Sequence, residues 1–175
     1  MDAGTGGEEW RFKTSASIRS PPIVADVNRD SEYEALVWSE AFLSEGGTLF
    51  CVSFYGAEIW HLTFLGNERI NSVQQMVPTI GDVDGDGSMD MAVTVSGSLT
   101  RVSNSSSRSY GYYNSAYVID IGGAVPKVKY ALNFTEMSLK GMIPRGAVAF
   151  PIAYSSQLVA DIDGDNRQEI LWLAP

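Results

Sequence analysis

Residues 77–97 read VPTIGDVDGDGSMDMAVTVSG: a short apolar run, a tight acidic loop and a second apolar run. Within the loop, Asp82, Asp84 and Asp86 occupy positions 1, 3 and 5, and Asp90 closes the window at position 9. Gly85 and Gly87 let the chain curl through positive φ, which turns the side chains at 1, 3 and 5 inward together. Carboxylates gathered in this way repel one another unless a cation sits among them. A hard cation takes six to eight oxygens, and the loop offers its carboxylates together with the position-7 carbonyl, here that of Ser88. The flanking runs are short and rich in strand formers, so the unit reads as strand, loop, strand.

The same pattern occurs twice more. Residues 21–39 read PPIVADVNRDSEYEALVWS, and residues 156–174 read SQLVADIDGDNRQEILWLA. The first loop offers Asp26, Asn28, Asp30 and Glu34, with the Glu32 carbonyl. The third offers Asp161, Asp163, Asp165 and Glu169, with the Arg167 carbonyl. Twelve of the chain's 21 acidic residues fall in these three nine-residue windows, so the acids are not scattered for solubility alone. The first loop is the least regular: Arg29 and Ser31 stand where the second has glycines, and Asn28 replaces an acid. In the third, Asn166 takes the place of Gly87, and asparagine tolerates the left-handed conformation.

An all-protein cage with several carboxylates suits calcium better than magnesium. Up to three Ca2+ ions are expected, moving the formal charge from −9 towards about −3. Simple hairpin turns with soluble edges would explain one such loop. Three with the same 1-3-5-9 pattern favour metal. An EF-hand fits worse, because its twelfth position needs Glu and here holds Val37, Val93 or Trp172.

The remaining sequence is strand-like. After the first loop come ALVWSE, GGTLFCVSF and EIWHLTF; after the second come MAVTV, SAYVIDI and KVKYALNF. No long window shows 3.6-residue periodicity with good caps. Four strands per repeat of some 55 residues describe one blade of a β-propeller. The expected architecture is therefore all-β, with about two and a half to three four-stranded blades in a single segment spanning 1–175. The repeats run over 22–64, 76–134 and 155–175. Residues 8–14 (EEWRFKT) are expected to be the last strand of a preceding blade. Residues 97–115, rich in Ser, Gly and Tyr, are expected to form an inserted contact loop. This makes 11 strands, too few for a closed propeller. Open blade edges are sticky, so the expected partners are the rest of a longer propeller or other copies of the chain, as a ring or filament.

These three segments resemble the FG-GAP/VCBS class of propeller repeats, found in integrin α-chain heads. The lines PPIVADVNRD…EALV, VPTIGDVDGDGSMDMAV and LVADIDGDNRQEIL are similar to that family's strand–DxDxDGxxD–strand core. GTLFCVSFYGAEIWHLTF also resembles the strand pair of PQQ-like blades. The resemblance implies calcium in the blade loops and an extracellular, non-catalytic role in adhesion, recognition or scaffolding.

Composition narrows the function classes. The chain has 175 residues, 45% hydrophobic and only 19% charged, which argues for one folded domain. Twelve basic against 21 acidic residues disfavour a nucleic-acid binder. No apolar run reaches the length of a membrane span. One cysteine, Cys51, excludes an intrachain disulfide framework, and one histidine, His61, disfavours His-based metal or triad chemistry. The start, MDAGTGGEEW, lacks the basic and apolar regions of a signal peptide, which suits an intracellular protein or a processed piece of a longer chain. Two sequons, at Asn104 and Asn133, are possible glycan acceptors. The leading expectation is a calcium-stabilised extracellular module with a protein or glycan ligand. The alternatives are a self-assembling subunit and a propeller enzyme or lectin acting on polysaccharide. His61 is expected to be an ordinary strand residue and Cys51 a core thiol.

Overall fold

The computed structural model describes residues 4–14, 16–18, 20–40, 47–64, 70–75, 78–103, 107–133, 158–165 and 167–171. Among them the structure is all-β: three antiparallel sheets and no helix. Among the described residues, no helix is long and apolar enough to cross a membrane.

In the first sheet, β3 (Glu34–Glu40), β4 (Gly47–Val52) and β5 (Glu58–Phe64) form an antiparallel meander. The other edge of β3 carries two short pieces, β2 (Ile23–Ala25) beside the acidic loop and β1 (Ser17–Ile18) at the far end. The second sheet repeats this plan. There, β8 (Asp90–Ser103), β9 (Ser107–Asp120) and β10 (Lys127–Asn133) form the meander. The edge of β8 carries β7 (Thr79–Gly81) beside the loop and β6 (Ile70–Gln75) beyond it. The third sheet is the pair β11 (Leu158–Ala160) and β12 (Glu169–Leu171).

Alternation along the strands builds the core. Leu36 and Trp38 on β3, Leu49 and Cys51 on β4, and Trp60 on β5 lie on one face of the first sheet. They pack against Met91, Val93 and Val95 of β8 and Ile119 of β9. Each such side chain contributes roughly 1.5–3 kcal/mol when fully buried. The opposite face of the second sheet, at Ala92, Thr94, Ala116 and Val118, is buried as well. This explains why MAVTV reads as a continuous apolar run rather than an alternating one. The third sheet meets the second at β7, where Gln168 and Val159 lie against Gly81.

Three expectations change. Residues 8–14 form no strand. They are held by aromatic packing instead, with Trp10 over Gly56 and Phe12 edge-on to Phe50 at 5.4 Å. Residues 97–103 and 107–115 are strand rather than loop. The hairpin of β8 and β9 stays in register as far as Ser103↔Ser107, because Tyr, Thr and Val among the serines are strand formers. Finally, β1 and β6 extend the first two units, so the second begins at Ile70 rather than 76. The sheets do not close into a ring.

Candidate metal centre

Each acidic loop joins the first two paired strands of its sheet in the same register. The residue before position 1 faces position 9: Ala25↔Glu34, Gly81↔Asp90 and Ala160↔Glu169. The hydrogen bonds repeat as well. The position-2 N–H donates to the position-9 carboxylate in Val27→Glu34 at 2.8 Å, Val83→Asp90 at 3.1 Å and Ile162→Glu169 at 2.9 Å. The position-7 N–H donates to the position-5 carboxylate in Glu32→Asp30 at 2.8 Å, Ser88→Asp86 at 2.7 Å and Arg167→Asp165 at 2.8 Å. The three segments are thus one structural motif, and the N–H groups at Glu32, Ser88 and Arg167 take part in it.

Backbone conformation at positions 4 and 6 explains the glycines. Gly85, Gly87 and Gly164 have φ of 72°, 86° and 79°. In the first loop Arg29 and Ser31 adopt φ of 61° and 72° without glycine. The Asp26 carboxylate stabilises that turn by accepting from the N–H groups of Asp30 and Ser31, both at 3.0 Å. A non-glycine residue in this region costs on the order of 1 kcal/mol. Ser31→Gly is therefore expected to raise the melting temperature by roughly 2 °C. Differential scanning calorimetry checks this, and an unchanged or lower value refutes it.

The loops differ in what their carboxylates face. In the second, oxygens of Asp82, Asp84 and Asp86 lie within 4.8 Å of one another, and so do oxygens of Asp161, Asp163 and Glu169 in the third. Asp165 lies outside that third group. Among the described residues, the first loop gathers no such trio. Asn28 Nδ2 donates to Asp30 Oδ2 at 2.9 Å, and Glu34 is turned inward and buried. Burial raises the Glu34 carboxyl above its ordinary range, against the Val27 N–H, with Asp30, Asp26 and Glu32 adding to the rise.

Asp90 is fully buried, which raises its carboxyl in the same way, while Lys129 and the Val83 N–H oppose the shift. Lys129 Nζ lies 2.9 Å from Asp84 Oδ2, Asp86 Oδ2 and Asp90 Oδ1. Asp86 is held below the ordinary carboxylate range, first by Lys129 and then by the Ser88 N–H. Four carboxylates against one ammonium still leave this loop negative. Asp82 Oδ1 is buried and makes no hydrogen bond among the described residues, and Arg29 of the first loop approaches Asp82 Oδ2 at 3.8 Å. An orphaned buried carboxylate oxygen beside two other acids fits a hard cation.

Two residues of this centre escaped the pattern analysis. Asp120, at the end of β9, accepts from Ser88 Oγ at 2.8 Å and from the Gly122 N–H at 3.1 Å. Lys129 is the other. It is the extra residue of a β-bulge, since Val128 pairs Ile119 and Tyr130 pairs Val118. A bulge re-aims one side chain, here from β10 into the acidic loop.

Of the sequons, Asn104 lies outside the described residues, and Asn133 is half-buried at the end of β10 opposite Ser115. His61 Nδ1 lies 2.7 Å from Glu58 Oε1 on the exposed side of β5. Cys51 is buried, and its thiol is pushed up to about 12 by burial and then by Glu34, so it is not a poised nucleophile.

No family model and no curated protein match the chain. Among solved structures, it is similar to the Bacillus licheniformis rhamnogalacturonan lyase PL11, with a TM-score of 0.36 and 12% identity over 89% of this chain and 40% of that one. The exotype rhamnogalacturonan lyase YesX is similar at a TM-score of 0.35 and 14% identity, over 86% of this chain and 38% of that one. The chain thus spans about two fifths of the length of either structure. Likeness at this level assigns no activity.

Proposed function

We propose that the chain is a non-catalytic, calcium-stabilised segment of an FG-GAP/VCBS-like β-propeller, with its sheets as blades, acting outside the cell in adhesion or assembly. The recurrence of one loop geometry at three places, with converging carboxylate oxygens in two of them, carries this reading. Asp161, Asp163 and Glu169 would hold one ion, and Asp82, Asp84 and Asp86 a second. Calcium supplies the positive charge that lets these oxygens converge, and it ties together the two strands that each loop connects.

Binding to the folded state alone adds its free energy to stability, about 2.7 kcal/mol at a hundred times the dissociation constant. Saturating calcium is therefore expected to raise the melting temperature by roughly 5–10 °C over the chelated protein. Asp161→Asn with Asp163→Asn should remove a large part of that rise, with a matching loss in calorimetric stoichiometry. A melting temperature indifferent to both calcium and chelator overturns the reading.

A further inference from the structure

The two larger sheets can be superimposed residue by residue through their ladders. Glu34 and Asp90 are both position 9, Ala35 pairs Val52 as Met91 pairs Ile119, and Leu36 pairs Cys51 as Ala92 pairs Val118. The bulge recurs too. In the first sheet it falls between Cys51↔Trp60 and Val52↔Glu58, so Ile59 is the extra residue there. Ile59 and Lys129 are thus equivalent, each beside the position-9 carboxylate of its own loop.

The consequences differ. Beside Ile59 lies a cleft of about 210 Å³ between the first sheet, at Glu34, Cys51 and Trp60, and the turn after β9 at residues 121–124. At the equivalent place in the second sheet, the Lys129 side chain, 17% exposed, runs inward and sets its ammonium among three carboxylates. An ammonium 2.9 Å from three carboxylate oxygens stands where a loop cation would stand.

We propose that Lys129 is the resident cation of the second loop and competes with divalent metal for Asp84, Asp86 and Asp90. This rests on the calcium reading and deepens it: the residue at the fourth-strand bulge sets how readily a loop takes up metal. The metal must displace an ammonium already held on the same oxygens, and that ammonium is tethered, so its local concentration is high. The second loop is accordingly ordered without calcium and binds it weakly.

The test compares the whole chain with its Lys129→Ile and Lys129→Gln variants. Ile is the residue found at the equivalent bulge, and Gln keeps length and polarity. In chelator both variants are expected to melt at least roughly 5 °C below wild type, because three carboxylates are left without their counter-ion. In calcium titrations followed by calorimetry, both should gain a site or tighten one by at least roughly tenfold. Asp84→Asn added to Lys129→Gln should abolish the gain, which places it in this loop. If wild type binds calcium and the Lys129 variants bind it no better, the inference falls while the calcium reading stands. If none of the proteins binds calcium, both fall. Unchanged melting in chelator also overturns the assignment of Lys129 as counter-ion.

Discussion

Replacing Asp90 by alanine is expected to lower the melting temperature of the calcium-free chain by about 10 °C. The side chain is wholly buried, with one oxygen hydrogen-bonded and the other held by an ion pair alone. Oδ2 accepts the Val83 N–H at 3.1 Å, and Oδ1 lies 2.9 Å from Lys129 Nζ. Alanine leaves a buried N–H without a partner and removes one of three anions around a largely buried ammonium. Leaving a buried donor unpaired costs about 1–3 kcal/mol, and the emptied space and the lost contact with the ammonium add to it. Asp90→Asn keeps the acceptor for Val83 and leaves Lys129 its bonds to Asp84 and Asp86, so it should cost only about a third as much.

The pH dependence separates both variants from wild type. Burial raises the Asp90 carboxyl in the folded chain above its unfolded value, so folding takes up protons at this site. Its contribution is full below the unfolded value and is lost as pH rises through the raised one. Asp86 runs the other way: held low by Lys129, it contributes above its unfolded value and loses that as pH falls. Asp90→Asn should remove the first of these slopes and keep the second. Melting curves across the acid range in chelator check this. A fall for Asp90→Ala no larger than that for Asp90→Asn would show that the acceptor for the Val83 N–H carries no stability.

Much of this centre is written locally, and so it could be read without coordinates. Positions 1 to 9 of each loop are adjacent in the chain, and the glycines at 85, 87 and 164 mark the turns that curl it. Alternation in EALVWSE and GTLFCV likewise places Leu36, Trp38, Leu49 and Cys51 on one face. What escaped depends on pairing between distant segments. Lys129 acts on acids 43 and 45 residues away, and the sequence KVKYALN does not reveal that one of its residues is an unpaired bulge. Composition misled at 97–115, where serines and glycines suggest a loop while the ladder of β8 and β9 runs through. Arg29 and Ser31 show the converse, since they take up positive φ because Asp26 secures the turn through its side chain. Residues 8–14 alternate like a strand, yet Trp10 and Phe12 spend that alternation on packing against the first sheet.

The junction between the first two sheets should be the most sensitive part of the core. Trp38 is 2% exposed, and its ring lies 5.3 Å from that of Phe64, which in turn lies 5.3 Å from Tyr117 of the second sheet. Gly47 sits directly beneath the Trp38 ring, where any Cβ would overlap it. Trp38→Ala therefore empties a space that neither Gly47 nor Phe64 can fill by a rotamer change. Such truncations cost about 3–5 kcal/mol, and in a chain of this length that is a fall of roughly 10–15 °C in melting temperature. Trp38→Phe is expected to behave differently. The indole Nε1 is buried with no hydrogen-bond partner among the described residues, so phenylalanine removes an unsatisfied donor while keeping the aromatic contact with Phe64. Its net cost should stay below about 1.5 kcal/mol. Equilibrium unfolding in urea measures both variants. Similar losses for alanine and phenylalanine would mean that the junction depends on the full bulk of the indole rather than on the aromatic contact with Phe64.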